Sequence, residues 1–306
     1  MSDTPSHSKR IALILTNLFF IGALASCRQA IHPTQQPVAQ STPSTTDSLD
    51  ITAYPKPELT QTPIPCVKTI GSIVEREIPT VLLEKSINVK IYLPPCYNSN
   101  LQADFPVLYM LHGQTSANDQ WLRLGLFSEM DELLMQKAIQ PFLIVLPYES
   151  RSNTDSDVSK YGEALVQDVI PYIEDNFRVC KDRSCRAIGG LSRGGNWAVH
   201  LGFTYPKRFV AIGAHSTPLF YGEIIKITER VSAISSTTEL PAIYIDMGNK
   251  DPDRQDVLAF VAALKKLNIP YQFTEFLGYH QEDYWSAHVQ DYLFWYSNQL
   301  MSATQE

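Results

Sequence analysis

A run of small residues, Gly189-Gly190-Leu191-Ser192-Arg193-Gly194-Gly195, separates a short apolar segment, 186–188, from a helix-like segment, 196–205. It contains Gly-x-Ser-x-Gly at Gly190, Ser192 and Gly194, the pattern of a tight strand-to-helix turn that holds a serine in a strained backbone conformation. Side chains beside the serine would collide with the following helix, so glycine is the residue that fits there. Such a turn needs a strand before it and a helix after it, and this chain offers both. It also puts Ser192 at the positive end of a helix, where the Arg193 N–H can face negative charge developing nearby. The plainer reading, a flexible Gly/Ser turn, has no need of either flank.

The remaining pattern extends the same construction. Compact segments at 107–111, 142–146, 209–214, 242–247 and 271–277 read as strands; the first three are unbroken apolar runs, as suits burial on both faces of a parallel sheet, while 242–247 carries Asp246 and 271–277 carries Gln272, Thr274 and Glu275. Segments 70–78 and 88–93 read as two more strands with a turn around 83–86, and Pro94-Pro95 stops the second. Apolar residues at three- and four-residue spacing predict helices over 126–138, 163–177, 255–267 and 283–300. Strands alternating with helices imply a three-layer α/β domain with a mostly parallel central sheet, and residues 66–306 suit one such domain.

The N-terminal region reads differently. Lys9 and Arg10 precede an apolar run, 11–24, that leads into Leu24-Ala25-Ser26-Cys27. A basic segment, an apolar segment and small residues before a cut are the parts of a secretory signal over 1–26, and the run is short for a transmembrane span. Leu-Ala-Ser-Cys resembles the lipobox of bacterial lipoproteins, which implies cleavage before Cys27 and a lipid on that cysteine. An ordinary cleaved signal with Cys27 incidental is the alternative. Residues 27–65 are rich in Pro, Thr, Ser and Gln, too poor in large apolar groups to offset their ordering entropy, and are expected to form a disordered tether. The chain is thereby expected to be exported and anchored to a membrane through Cys27. Of five cysteines, Cys66, Cys96, Cys180 and Cys185 remain for two disulfides, and no spacing suggests zinc. Cys180 with Cys185 and Cys66 with Cys96 is the favoured pairing among three. The net charge of −7, with no Lys/Arg run after the first few dozen residues, argues against a nucleic-acid partner.

In a sheet of this kind, sites form at the carboxyl ends of strands. After 242–247 comes Gly248-Asn249-Lys250-Asp251, and after 271–277 comes Gly278-Tyr279-His280. Ser192, Asp251 and His280 thus follow in the chain order of α/β-hydrolases. Serine needs a base to take its proton, which is the role expected of His280. The imidazole needs a carboxylate to fix its tautomer and balance its charge, the role expected of Asp251. The backbone N–H groups of Arg193 and Gln114 are the expected oxyanion donors. Asp246, Asp253 and Asp256 are rival acids, and His288 is a rival base set mid-helix. His112, His200 and His215 read as structural, with His215 near enough to a strand end to touch the pocket. Trp121, Tyr148 and Trp285 are candidate pocket walls.

Segments 88–95, 107–114, 186–195, 248–251, 278–280 and Tyr284-Trp285 together resemble the putative-esterase branch of the α/β-hydrolases. That branch includes feruloyl and acetyl xylan esterases, enterochelin esterases, S-formylglutathione hydrolases and mycolyltransferases. The resemblance implies a serine esterase with Ser192 as nucleophile, Asp251 as acid, His280 as base, and Gln114 and Arg193 as oxyanion donors. It implies no metal or organic cofactor. Arg193 stands where the family often has Met or Gln, and no long insertion supplies a lid. An acyltransferase would share every one of these residues; a surface binding protein of the same fold would lack the activity.

Overall fold

The computed structural model of the protein describes residues 67–98, 104–233 and 240–301. The signal over 1–26, Cys27, the tether over 27–65 and Cys66 lie outside the described residues. In chain order the elements are β1 (Ser72–Ile78), β2 (Ile87–Leu93), β3 (Val107–Leu111), α1 (Gln120–Arg123), α2 (Leu126–Met135), β4 (Leu143–Pro147) and α3 (Tyr161–Ala164). A π-helical turn, Leu165–Val169, joins α3 to α4 (Ile170–Asn176). Then come β5 (Arg186–Leu191), α5 (Arg193–Thr204), β6 (Ala211–His215), α6 (Glu223–Ser232), β7 (Ala242–Gly248), α7 (Arg254–Lys266), β8 (Gln272–Phe276), α8 (Glu282–Ala287) and α9 (Val289–Met301).

The strands form one eight-stranded sheet in the order β1-β2-β4-β3-β5-β6-β7-β8. β1 and β2 run antiparallel to their neighbours, and every pairing from β4 to β8 is parallel. The unbroken apolar runs become β3, β4 and β6, which are fully buried, as β5 is, because helices cover both faces; the edge strand β8, with Gln272, Thr274 and Glu275, is partly exposed. Alternation along each strand sorts its residues between two cores. Tyr109, Ile188, Ile212 and Ile245 face the layer containing α3, α4, α5 and α7. Leu108, Met110, Ala187 and Tyr244 face α1, α2, α8 and α9. In α7 the buried Val257, Phe260 and Leu264 recur at helical spacing on one face, and burying each is worth about 1.5–3 kcal/mol.

Several elements depart from the sequence expectation: α1 was not foreseen, the helix expected over 163–177 is divided by the π-helical turn, and three further elements differ. β1 begins at Ser72, because the Gly71 N–H is taken by Asp131 Oδ1 at 2.8 Å and not by the sheet. The helix expected over 283–300 is two helices. His288 breaks it with φ −112° and ψ 6°, its N–H closing a turn on the Trp285 carbonyl at 3.1 Å while its ring stacks on Phe276. Helix α6 was not foreseen, although Ile224, Ile227 and Val231 follow helical spacing. Cys180 and Cys185 form the expected local disulfide, and Cys96 is disulfide-bonded as well. No helix among the described residues is long and apolar enough to cross a membrane.

Candidate active site

Ser192 sits between β5 and α5 with φ 52° and ψ −119°, a backbone conformation that a non-glycine residue holds only when its surroundings enforce it. The surroundings do. The Ser192 N–H bonds the His215 carbonyl at 2.8 Å, and its own carbonyl accepts from the Asn196 N–H at 3.0 Å, the first turn of α5. The flanking glycines allow close backbone approach: a Cβ on Gly194 would lie 2.3 Å from the Leu111 carbonyl oxygen, and one on Gly190 would lie 2.5 Å from the Gly194 carbonyl carbon. The packed elbow thus depends on both absences.

Asp251 and His280 come from the loops after β7 and β8. Those loops are stitched together by the Lys250 N–H on the Gly278 carbonyl at 2.9 Å and the Asn249 N–H on the Phe276 carbonyl at 2.7 Å. His280 Nδ1 lies 2.9 Å from Asp251 Oδ2 and 3.1 Å from Oδ1. The Asp251 side chain is fully buried and that of His280 is 20% exposed. Burial alone would raise the Asp251 carboxyl, but the His280 hydrogen bond, the Asp253 N–H and the imidazole's charge outweigh it and hold the group below its ordinary value. Nδ1 is therefore the donor to a carboxylate, and Nε2 is left as the basic nitrogen. Nε2 makes no hydrogen bond among the described residues, Ser192 included, and such contacts commonly close only around substrate.

Ser192 and His280 line one cleft of about 320 Å³ together with Gln114, Gln120, Arg123 and Trp285. Trp285 meets His280 edge-on, with ring centroids 5.0 Å apart. On the other wall the loop after β3 carries Gln114, whose side-chain amide donates to Asn153 at 2.8 Å. The buried Gln120 accepts from the Gly113 N–H at 2.9 Å and donates to Glu282 at 3.1 Å, tying the loop after β3 to α8. Asp251, Asp253 and His280 present ligand atoms within 4.8 Å of one another, close enough for a cation to bridge them. A cation taking Nδ1 would displace the Asp251 hydrogen bond that orients the imidazole.

The structure relocates three of the candidate wall residues. Trp121 is wholly buried, with its indole N–H on the Leu111 carbonyl at 2.9 Å. His215 is wholly buried against Asp246, and Tyr148 packs on His112 with ring centroids 5.6 Å apart. None of the three lines the cleft. His112 and His200 bond neighbouring protein groups, the Gly113 carbonyl and Glu223. Sequence reasoning missed Gln120, Glu282 and Glu149, although Glu149 lies just past Tyr148 in the loop after β4, where the strand-end rule points.

Residues 80–296 match the family described as Putative esterase. Among curated relatives, an endo-1,4-beta-xylanase/feruloyl esterase of Xylanibacter ruminicola is 29% identical over 49% of this chain and 22% of its own length. An acetyl esterase of Caldicellulosiruptor saccharolyticus is 30% identical over 52% of this chain and 59% of its own. The chain thus spans less than two thirds of either relative. Among solved structures, a ferulic acid esterase superposes with a TM-score of 0.68 at 25% identity, covering 76% of this chain and 99% of that one. Because the family match runs from ahead of β2 into α9 and takes in the elbow and both loops that meet it, the chain belongs to the putative-esterase branch of the α/β-hydrolases.

Proposed function

We propose that this protein is a serine carboxylic ester hydrolase that works through an acyl-enzyme on Ser192 outside the cytoplasm. The observation that carries the reading is the bond from His280 Nδ1 to both oxygens of the buried Asp251, in a cleft shared with Ser192. Ser192 Oγ attacks the ester carbonyl while His280 Nε2 takes its proton, and Asp251 steadies the imidazolium. The oxyanion accepts hydrogen bonds from the Arg193 and Gln114 N–H groups. His280 then protonates the departing alcohol, and water, activated by the same nitrogen, releases the acid. The cleft's polar wall and the relatives' names point to acyl or hydroxycinnamoyl esters carried on hydroxylated alcohols.

Two measurements test this. Wild type and Ser192→Ala are compared on acetyl, longer acyl and feruloyl esters; turnover confined to wild type is expected, and equal turnover by both ends the hydrolase reading. Export rests on the signal-like N-terminus and is supported by the Cys180–Cys185 disulfide, a bond characteristic of oxidising compartments. Cys27→Ala should move the protein from the membrane to the soluble fraction, and continued membrane partitioning would remove the lipid anchor.

A further inference from the structure

We infer that Glu149 and His112 are positioning residues that set the two oxyanion donors in register, and that the Arg193 side chain is part of the same device. The inference rests on the proposed esterase reading and deepens it. Glu149 follows β4 and is 4% exposed; Arg193 is 8% exposed. Arg193 Nε donates to Glu149 Oε2 at 2.8 Å and Nη2 to Oε1 at 2.7 Å, a two-point pairing, and Nη2 also reaches the Thr154 carbonyl at 2.8 Å. The guanidinium lies 5.7 Å from the Trp197 ring centroid and 5.4 Å from that of Phe220. A flexible side chain is thus fixed in one place, and the Arg193 backbone N–H at the start of α5 is fixed with it.

The same glutamate governs the other donor through its main chain. The Glu149 N–H donates to His112 Nε2 at 2.9 Å. An Nε2 that accepts carries no proton, so the proton of the neutral ring is on Nδ1, which lies 2.8 Å from the Gly113 carbonyl oxygen and donates to it. That carbonyl belongs to the peptide unit whose N–H is the Gln114 donor. In a planar trans peptide the C=O and the following N–H point in opposite directions, so fixing one aims the other. The Ser116 N–H, 3.3 Å from the same oxygen, adds a second restraint. Donation into the carbonyl also polarises the amide and strengthens its N–H as a donor. His112 is 3% exposed, and burial holds its pKa below the ordinary value, preserving the neutral form with an accepting Nε2. One residue at the end of β4 therefore holds Arg193 by its carboxylate and the 113–114 peptide by its amide. Arg193, at a position where only the backbone was expected to matter, contributes its side chain as well.

The decisive variants separate the two nitrogens of His112. Asn places a side-chain N–H near the Nδ1 position, and Gln places its amide near Nε2. His112→Gln should lower kcat by about 10²-fold, within the range seen when an oxyanion donor is lost, with KM little changed. His112→Asn should recover most of that loss. Because a lone buried charge can unfold a protein, the ion pair is removed whole as Arg193→Met with Glu149→Gln, expected to lower kcat by roughly 10-fold. Melting temperature is recorded for each variant, and affinity for a trifluoromethyl ketone, which mimics the tetrahedral oxyanion, should fall in step with kcat. Equal loss in the Asn and Gln variants, or a double variant with wild-type kcat and ketone affinity, overturns the inference alone. A wild type without Ser192-dependent turnover overturns the proposed function and this inference with it.

Discussion

Two histidine–aspartate pairs stand near the same end of the sheet and differ in what surrounds them. His280–Asp251 joins the loops beyond β7 and β8, with the imidazole 20% exposed and Nε2 open to a cleft. His215–Asp246 joins β6 to β7 at directly paired positions, and both side chains are wholly buried. There Nδ1 meets Asp246 Oδ1 at 2.6 Å and Nε2 meets the Tyr296 hydroxyl at 3.1 Å. The second carboxylate oxygen accepts from Tyr284 at 2.6 Å and Tyr292 at 2.9 Å. Burial, then the Asp246 charge, pushes the hydroxyls of Tyr284, Tyr292 and Tyr296 far above the ordinary phenol range, so they stay protonated. One pair keeps a nitrogen free for chemistry. The other spends every polar atom fastening α8 and α9 to the sheet.

If that division is right, the same change has opposite consequences at the two sites. Asp251→Asn should cost about 10⁴ in kcat, the loss known for a triad carboxylate replaced by its amide, with only a small change in melting temperature at neutral pH. Its stability effect should depend on pH. The folded Asp251 carboxyl titrates below its unfolded value, so its stabilisation is complete above about pH 4 and fades as pH falls through the folded value. Wild type should therefore lose melting temperature more steeply than Asp251→Asn below about pH 4, as acid melts of both would record. Asp246→Asn should cost about 3–5 kcal/mol of stability, because three donors then face an amide in place of a carboxylate. The folded fraction of that variant should keep kcat within roughly tenfold of wild type. A large loss of kcat in Asp246→Asn without loss of stability would reverse the two assignments.

The sequence singled out all four residues but did not pair His215 with Asp246. Strand-end placement singled out Asp251 and His280, which the structure sets 2.9 Å apart, because a loop after a parallel strand opens at the site edge whatever its partners do. It left His215 as a possible pocket residue, because one more position along β6 separates a rim from a core, and a strand boundary is legible only to within a few residues. β3, β4 and β6 were readable because burial on both faces writes an unbroken apolar run. The break at His288 was not, since Asp283 to Leu300 keeps helical periodicity across it and the turn comes from ring stacking on β8. Glu149 was overlooked for a related reason. A glutamate after a strand looks solvated until a buried arginine is placed against it.

The finest distinction lies within the proposed catalytic pair itself. His280 Nδ1 has a second carboxylate near it, Asp253 Oδ2 at 3.7 Å, and that side chain is 38% exposed. Burial raises the Asp253 carboxyl; the His280 charge opposes the rise, and Asp251 and Asp256 add to it. At 3.7 Å and without the hydrogen bonds that Asp251 makes, Asp253 acts on the imidazolium as a partly screened charge. Asp253→Asn should leave the pH-independent kcat near wild type, because Asp251 still orients the ring. Removing a negative charge weakens the field on the imidazolium formed during the reaction, so kcat should fall by no more than about twofold at low ionic strength, and by less at high salt. If kcat shows no salt-dependent difference from wild type, Asp253 is not felt by the base. If kcat falls as far as in Asp251→Asn, orientation is shared between the two carboxylates, and the contrast between a fully committed core pair and a singly oriented catalytic one must be redrawn.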